Sequence, residues 1–185
     1  MQKSRGTVIL DVDDVLTDTN GKVIITYNNE HEDNKISRKD IVRFRYVECP
    51  NIKYKVTHYF ERPGFFKDLE PAEGVVEGIK ELVDNKYDII FATATCIQGT
   101  RDRQEWIIKH FPFISERNIC IISRKDIICG DWFLDDCTDN VVNNKCTNRI
   151  IKDAEWNTVK EYPESEGFKR VNNFKKFVEL VLSKG

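Results

Sequence analysis

Val8-Ile-Leu-Asp-Val-Asp-Asp-Val-Leu-Thr-Asp18 decides how this chain is read. An apolar strand, Thr7-Val-Ile-Leu10, runs directly into three carboxylates, Asp11, Asp13 and Asp14. Charge resists desolvation, so acids at the end of a buried strand need compensation. A divalent cation supplies it, and Mg²⁺ prefers oxygen ligands of this kind. A single Asp at such a junction also serves as an ordinary turn or cap residue. Three so close together, with partners elsewhere in the chain, favour a metal-carboxylate site on an α/β sheet.

Outward from that segment, the 185 residues fit one domain with a small inserted lobe. The chain is 40% hydrophobic, enough for a sizeable core. Charged residues reach 32%, yet the net charge is only −2, so no global field points to nucleic acid or an anionic membrane. Cys49, Cys96, Cys120, Cys129, Cys137 and Cys146 form no C-x-x-C pair, and no export signal precedes them. They read as reduced thiols of a cytoplasmic protein, neither a disulfide framework nor a zinc site. No apolar run approaches membrane-spanning length.

Residues 19–70 differ in character from the rest: polar, aromatic and irregular. They contain Ser37-Arg-Lys-Asp40, an N-cap box ahead of Ile41-Val-Arg-Phe44, and rings at Tyr54, Tyr59, Phe60, Phe65 and Phe66. From Pro71 the α/β pattern resumes. Val75, Val76, Ile79, Leu82 and Val83 make a helical stripe, and Trp106, Ile107, Ile108 and Phe111 mark a second helix. Phe174, Phe177, Val178 and Val181 mark the closing helix. Further strands are predicted at Tyr87-Asp-Ile-Ile-Phe-Ala92, Ile119-Cys-Ile-Ile122, Trp132-Phe-Leu134 and Arg149-Ile-Ile151. Alternating strands and helices imply a parallel sheet with helices on both faces. The predicted organisation is a core of residues 1–18 and 71–185, with 19–70 inserted after strand one.

Ligands of such sheets bind outside the carboxyl ends of the strands. Asp11 and Asp13 end the first strand, Thr93 the second, and Asp135 and Asp136 the strand at Trp132; Lys125 follows the third. That inventory suits phosphoryl transfer, which needs positioning and charge neutralisation around the phosphate oxygens. Asp11 can attack phosphorus and split the displacement into two steps. Mg²⁺ would sit between Asp11 and the phosphate, with Asp136 supplying further negative charge to hold it. Asp13, on the same face two residues on, can act as acid and then base. Thr93 and Lys125 would bind phosphate oxygens. Each residue alone has an ordinary reading, Thr93 as a turn or cap residue and Lys125 as a solvated loop charge; the order and strand-end placement carry the inference.

With these residues in place, the chain resembles the haloacid dehalogenase superfamily of phosphatases, whose four motifs match Asp11-Val-Asp13, Thr93, Lys125 and Asp135-Asp136. Within it the chain most resembles the 5'(3')-deoxyribonucleotidases, over about residues 7–160. The specific pieces include Tyr27-Asn-Asn-Glu30 through Ser37-Arg-Lys-Asp40, Pro63-Gly-Phe-Phe66, and Gly130-Asp-Trp-Phe-Leu-Asp-Asp136. The resemblance implies a three-layer Rossmann-like sandwich with a small cap formed by 19–70. It implies an aspartyl-phosphate enzyme with Asp11 as nucleophile and Mg²⁺ ligand. It also implies that Asp13 binds Mg²⁺ through its backbone carbonyl, that Asp136 ligates it directly or through water, and that Asp135 supports. The expected partner is a small phosphoester, a deoxyribonucleoside monophosphate first, whose base meets the cap's rings; membrane and nucleic acid are not expected partners. There are departures. Thr93-Ala-Thr95 stands where animal members commonly have Thr-Ser-Pro, so Ala94 offers phosphate only a backbone N–H; Asp14 stands where better-known members have Gly. Other readings are a phosphatase of the same type acting on a sugar phosphate or a nucleic-acid 3'-phosphate, and a non-catalytic phosphate-binding or receiver-type module. Asp135-Asp136 downstream of Lys125 argues against the receiver.

Overall fold

Strand β1, Gly6–Leu10, is paired on both edges, to β2 (Tyr87–Thr93) and to β4 (Trp132–Asp135), in parallel. The computed structural model describes residues 4–158 and 167–184. Across them the sheet has six strands in the order β3-β2-β1-β4-β5-β6, with β3 at Ile119–Ile121, β5 at Asn148–Lys152 and β6 at Lys169–Val171. Every pairing is parallel. Val8, Ile9 and Leu10 are fully buried, as expected of a strand covered on both faces. Each such side chain contributes about 1.5–3 kcal/mol of burial.

Side-chain alternation divides the core in two. Val8 and Leu10 join one cluster with Val75, Ile79 and Leu82 of helix α2 (Val75–Asp84), Trp106 and Ile107 of α3 (Gly99–His110), and Phe174, Phe177 and Val181 of α5 (Phe174–Lys184). Ile9 joins the other, with Ala92, Phe133 and Val141 of α4 (Thr138–Asn143). Helices therefore cover both faces of a parallel sheet, the three-layer α/β architecture read from the sequence.

The segment after β1 departs from its reading as irregular. Residues Thr19–Glu30 form α1, capped by Asp18, whose side chain accepts from the Gly21 N–H at 2.9 Å. Its buried stripe is Thr19, Asn20, Val23 and Tyr27, half of it polar, which hid the period. The Ser37–Asp40 box does form, with the Ser37 N–H donating to Asp40 at 2.8 Å, but it closes only a single 3₁₀ turn, Arg38–Asp40. Residues 41–44 are not helical; Ile41 instead turns into a small cluster with Cys49 and Trp156. Two more 3₁₀ turns follow, Tyr46–Glu48 and Thr57–Glu61. The two ends of the segment meet: Thr17 bridges Pro71, and the Ala72 N–H donates to the Leu16 carbonyl at 2.8 Å. Its buried rings Tyr59, Phe65 and Phe66 belong to the same core cluster as the sheet. Strand β6 and helix α4 were not expected; both are short and carry few apolar residues.

Candidate active site

The carboxyl ends of β1, β2 and β4 deliver the site. The Asp11 N–H still bonds the Leu134 carbonyl at 2.9 Å, so the sheet ladder fixes its backbone. Asp11, Asp135 and Asp136 are each at most 5% exposed, and each offers an oxygen within 4.8 Å of the others. Lys125, also buried, enters from a 3₁₀ turn, Lys125–Ile127. Its Nζ lies 2.5 Å from Asp11 Oδ1 and 2.9 Å from Asp135 Oδ2. Asn144 donates to the Lys125 carbonyl at 2.7 Å and holds that turn.

Asp135 and Asp136 are not equivalent. The Asp135 carboxylate accepts from the Cys137 N–H at 2.8 Å and from Asn140 Nδ2 at 3.0 Å, besides Lys125. Its lone pairs are largely committed. Among the described residues no donor reaches the Asp136 carboxylate, while Asn157 holds its backbone carbonyl at 2.7 Å. Burial pushes the Asp11 carboxyl up to about 7; Lys125 pulls it down, and Asp135 and Asp13 push it up again. Burial, then Asp135 and Asp11, raise Asp136 well above the usual carboxylate range. Burial works against the Lys125 charge, but Asp11 and Asp135 outweigh it and raise its pKa. One ammonium thus faces three buried acids, an imbalance that a hard cation on oxygen ligands would correct. Asp11 and Asp136 have the oxygens to hold it.

Asp13 stands at the mouth, its side chain 28% exposed. Its Oδ1 accepts from Thr19 Oγ1 at 2.6 Å and from Nη2 of Arg103, on α3. Arg103 has no exposure at all, and its guanidinium lies 4.1 Å over the Phe66 ring. Nothing in the sequence singled it out, because Arg101-Asp-Arg-Gln-Glu105 reads as a solvated helix face. Thr93 ends β2 fully buried; its hydroxyl has no partner among the described residues, and its carbonyl accepts from the Ile122 N–H at 2.8 Å. It is Ala94, Thr95 and Cys96, not Thr93, that line the cavity.

That cavity, about 500 Å³, opens over the acids. Its outer walls come from Ile41, Phe44, Tyr46, Phe60 and Phe66 of residues 19–70, and from Trp156, whose buried indole N–H has no partner among the described residues. Of the rings read from the sequence, Phe60 and Phe66 line it, whereas Tyr59 and Phe65 are core and Tyr54 stacks on His31 at 4.0 Å. Tyr46 and Trp156 were missed, being single aromatics without a spacing signal. The histidines join no ligand cluster among the described residues. All six cysteines are free; Cys96 donates to the Phe60 carbonyl at 3.0 Å, and burial pushes the Cys137 thiol up to about 12.

The chain is similar to several known proteins. A provisionally named 5'(3')-deoxyribonucleotidase of Staphylococcus epidermidis is 31% identical over 136 residues, 72% of this chain and 75% of that protein. The 5'(3')-deoxyribonucleotidase of Bacillus subtilis is 27% identical over 169 residues, 82% of this chain and 95% of that one. A hydrolase from Pseudomonas syringae shares the fold at a TM-score of 0.56 and 13% identity, covering 97% of this chain and 99% of that one. A provisionally named haloacid dehalogenase-like hydrolase from Burkholderia xenovorans does so at 0.56 and 10%, covering 96% of each chain. Residues 5–184 match one family throughout, and the chain belongs to it: the 5' nucleotidase, deoxy (pyrimidine), cytosolic type C proteins.

Proposed function

We propose that this protein is a Mg²⁺-dependent phosphomonoesterase that hydrolyses nucleoside monophosphates, deoxyribonucleotides first, through an aspartyl-phosphate on Asp11. The observation that carries the reading is the buried group of Asp11, Asp135 and Asp136 around Lys125 at the sheet's carboxyl edge. Membership of the nucleotidase family and the cavity's ring-lined outer wall support a nucleotide as substrate.

Asp11 and Asp136 would hold the cation with carboxylate oxygens, and the Asp13 backbone carbonyl would complete the protein's share. When bound, the cation supplies charge neutralisation between Asp11 and the phosphate and polarises the phosphoryl group. A carboxylate oxygen of Asp11 attacks phosphorus; the P–O bond to the leaving alkoxide breaks, and Asp13 gives that oxygen a proton. A water then enters. Asp13 takes its proton, its oxygen attacks phosphorus, and the acyl-phosphate P–O bond breaks to free inorganic phosphate and Asp11. Arg103 and Thr19 hold the Asp13 carboxylate at the mouth for both transfers. Lys125 turns from Asp11 toward phosphate as substrate arrives, while Asp135 keeps it in place. The Ala94 N–H, on the cavity wall, would bind a phosphate oxygen, and the Thr93 hydroxyl, unpartnered among the described residues but behind that wall, would join it only by turning into the cavity. Residues 19–70 act as the cap on the core of 1–18 and 71–185. Six free cysteines fit a reducing cytoplasm.

The test is phosphate release from a panel of nucleoside monophosphates, sugar phosphates and 3'-phosphorylated oligonucleotides, with Mg²⁺ and with EDTA. Mg²⁺-dependent preference for a few deoxynucleotides is the expected result. Activity confined to the other esters would discard the nucleotide and keep the chemistry. A folded protein that turned over none of them would discard both.

A further inference from the structure

Asp14 holds a backbone conformation that a side chain disfavours. Its φ is 54°, and Lys86 is the only other non-glycine residue with positive φ among those described. A glycine would sit there without strain. A strained residue persists where its surroundings over-determine it, so the carboxylate should have work that glycine lacks.

The contacts show what that work is. Asp14 Oδ1 accepts from the Asn20 N–H at 2.9 Å, and Oδ2 from Asn20 Nδ2 at 2.7 Å. Asn20 is itself buried, and its Oδ1 accepts from the Tyr46 hydroxyl at 2.5 Å. Tyr46 lies on the cavity wall. Its ring is 6.0 Å from Phe60, Phe60 stacks on Phe66 at 5.8 Å, and Phe66 carries the Arg103 guanidinium that binds Asp13. The substrate wall is thus tied at both ends to the segment that bears the nucleophile.

We infer that Asp14 is a specificity-positioning residue: through Asn20 it fixes the Tyr46 hydroxyl on the cavity wall, where it meets the part of the substrate beyond the phosphate. This rests on the nucleotidase reading above and extends it to a residue outside the four motifs. The competing account is that Asp14 only caps α1 through the Asn20 N–H. In that case Asp14 and Tyr46 act independently.

Steady-state kinetics of the wild type, Asp14→Gly, Tyr46→Phe and the double variant separate the two accounts. The substrates are the best deoxynucleoside monophosphate and acetyl phosphate, whose small acyl group probes the phosphate chemistry alone. Loss of one hydrogen bond predicts KM for the nucleotide raised about three- to tenfold in each single variant, with kcat moving less. The double variant should be no worse than the worse single, because both break one chain. Acetyl phosphate should lose less than the nucleotide does. Equal losses on both substrates, or single-variant losses that multiply in the double, would overturn the inference. If Asp14→Gly does not fold, the cycle of Asn20→Ala with Tyr46→Phe decides by the same rule. If the wild type ignores nucleotides but hydrolyses sugar phosphates, the nucleotide reading fails and the same cycle on the best sugar phosphate decides this one. No turnover of any ester retires both.

Discussion

The proposed mechanism gives Asp11 and Asp13 different work on the strength of their surroundings, not their chemistry. Asp11 is buried against Lys125; Asp13 is at the mouth, held by Arg103 and Thr19. Asp11→Asn replaces the attacking carboxylate with a non-nucleophilic amide of the same shape, and should lower kcat by at least about a thousandfold with the melting temperature retained or raised. Phosphate release within tenfold of wild type would remove Asp11 from the nucleophile's role. Arg103→Met should lower kcat about a hundredfold through misplacement of Asp13, and Arg103→Lys should restore part of it while KM moves little. A variant whose loss lay wholly in KM would assign Arg103 to substrate binding instead. The acids were legible in the sequence because they follow strand ends directly, and strand ends converge in this architecture. Arg103, Asn20 and Tyr46 were not. Each is fixed by partners far along the chain: Arg103 bonds a residue 90 positions away, and Tyr46 one 26 away.

Elements with both faces covered announced themselves, and half-polar ones did not. β1 and β2 are rich in β-branched and aromatic residues, with Asp88 the one exposed residue of β2, the composition of a strand covered on both faces. The amphipathic stripe of α2 was equally plain. Helix α1 escaped because Thr19 and Asn20 occupy its buried face, where they bond Asp13 and Asp14, so these polar contacts overrode the apolar period. Its start depends on the Asp18 cap, which also pairs with Arg38 of the next turn. Asp18→Ala should cost about 0.5–2 kcal/mol of stability, the range for loss of an N-cap. Urea unfolding with an unchanged m-value would read that directly. A variant as stable as wild type would show that packing of Val23 and Tyr27 alone holds the helix.

At the scale of the molecule, a fold that gathers carboxylates in its core is destabilised by them at neutral pH, and a bound metal would offset this. The Asp11 carboxyl is raised from its ordinary value of 3.8 to about 7, burial pushes Asp14 up to about 8, and Asp136 is raised too. Between those values the folded protein binds more protons than the unfolded chain. Stability of the metal-free protein therefore falls as pH rises from about 4 to beyond 7, and changes little from this source below that. A divalent cation on the ionised acids reverses the loss, since ligands must be deprotonated to bind it. The metal-free protein should melt higher at pH 5.5 than at pH 8, by several degrees, at about 2–4 °C per kcal/mol for a chain of this size. Added Mg²⁺ should raise the melting temperature at pH 8 far more than at pH 5.5. The Asp11→Asn protein isolates the cause: its metal-free melting temperature should depend less on pH, and Mg²⁺ should shift it less. Asp14, which works in the same sense as Asp11, and His110, lowered by burial and opposite in sense, act equally in both proteins, so they cancel in the comparison. Identical pH profiles for the two proteins would mean that the strain of the acidic cluster is not centred on Asp11. A Mg²⁺ shift of the same size at both pH values would mean that the cation does not bind through the titrating acids.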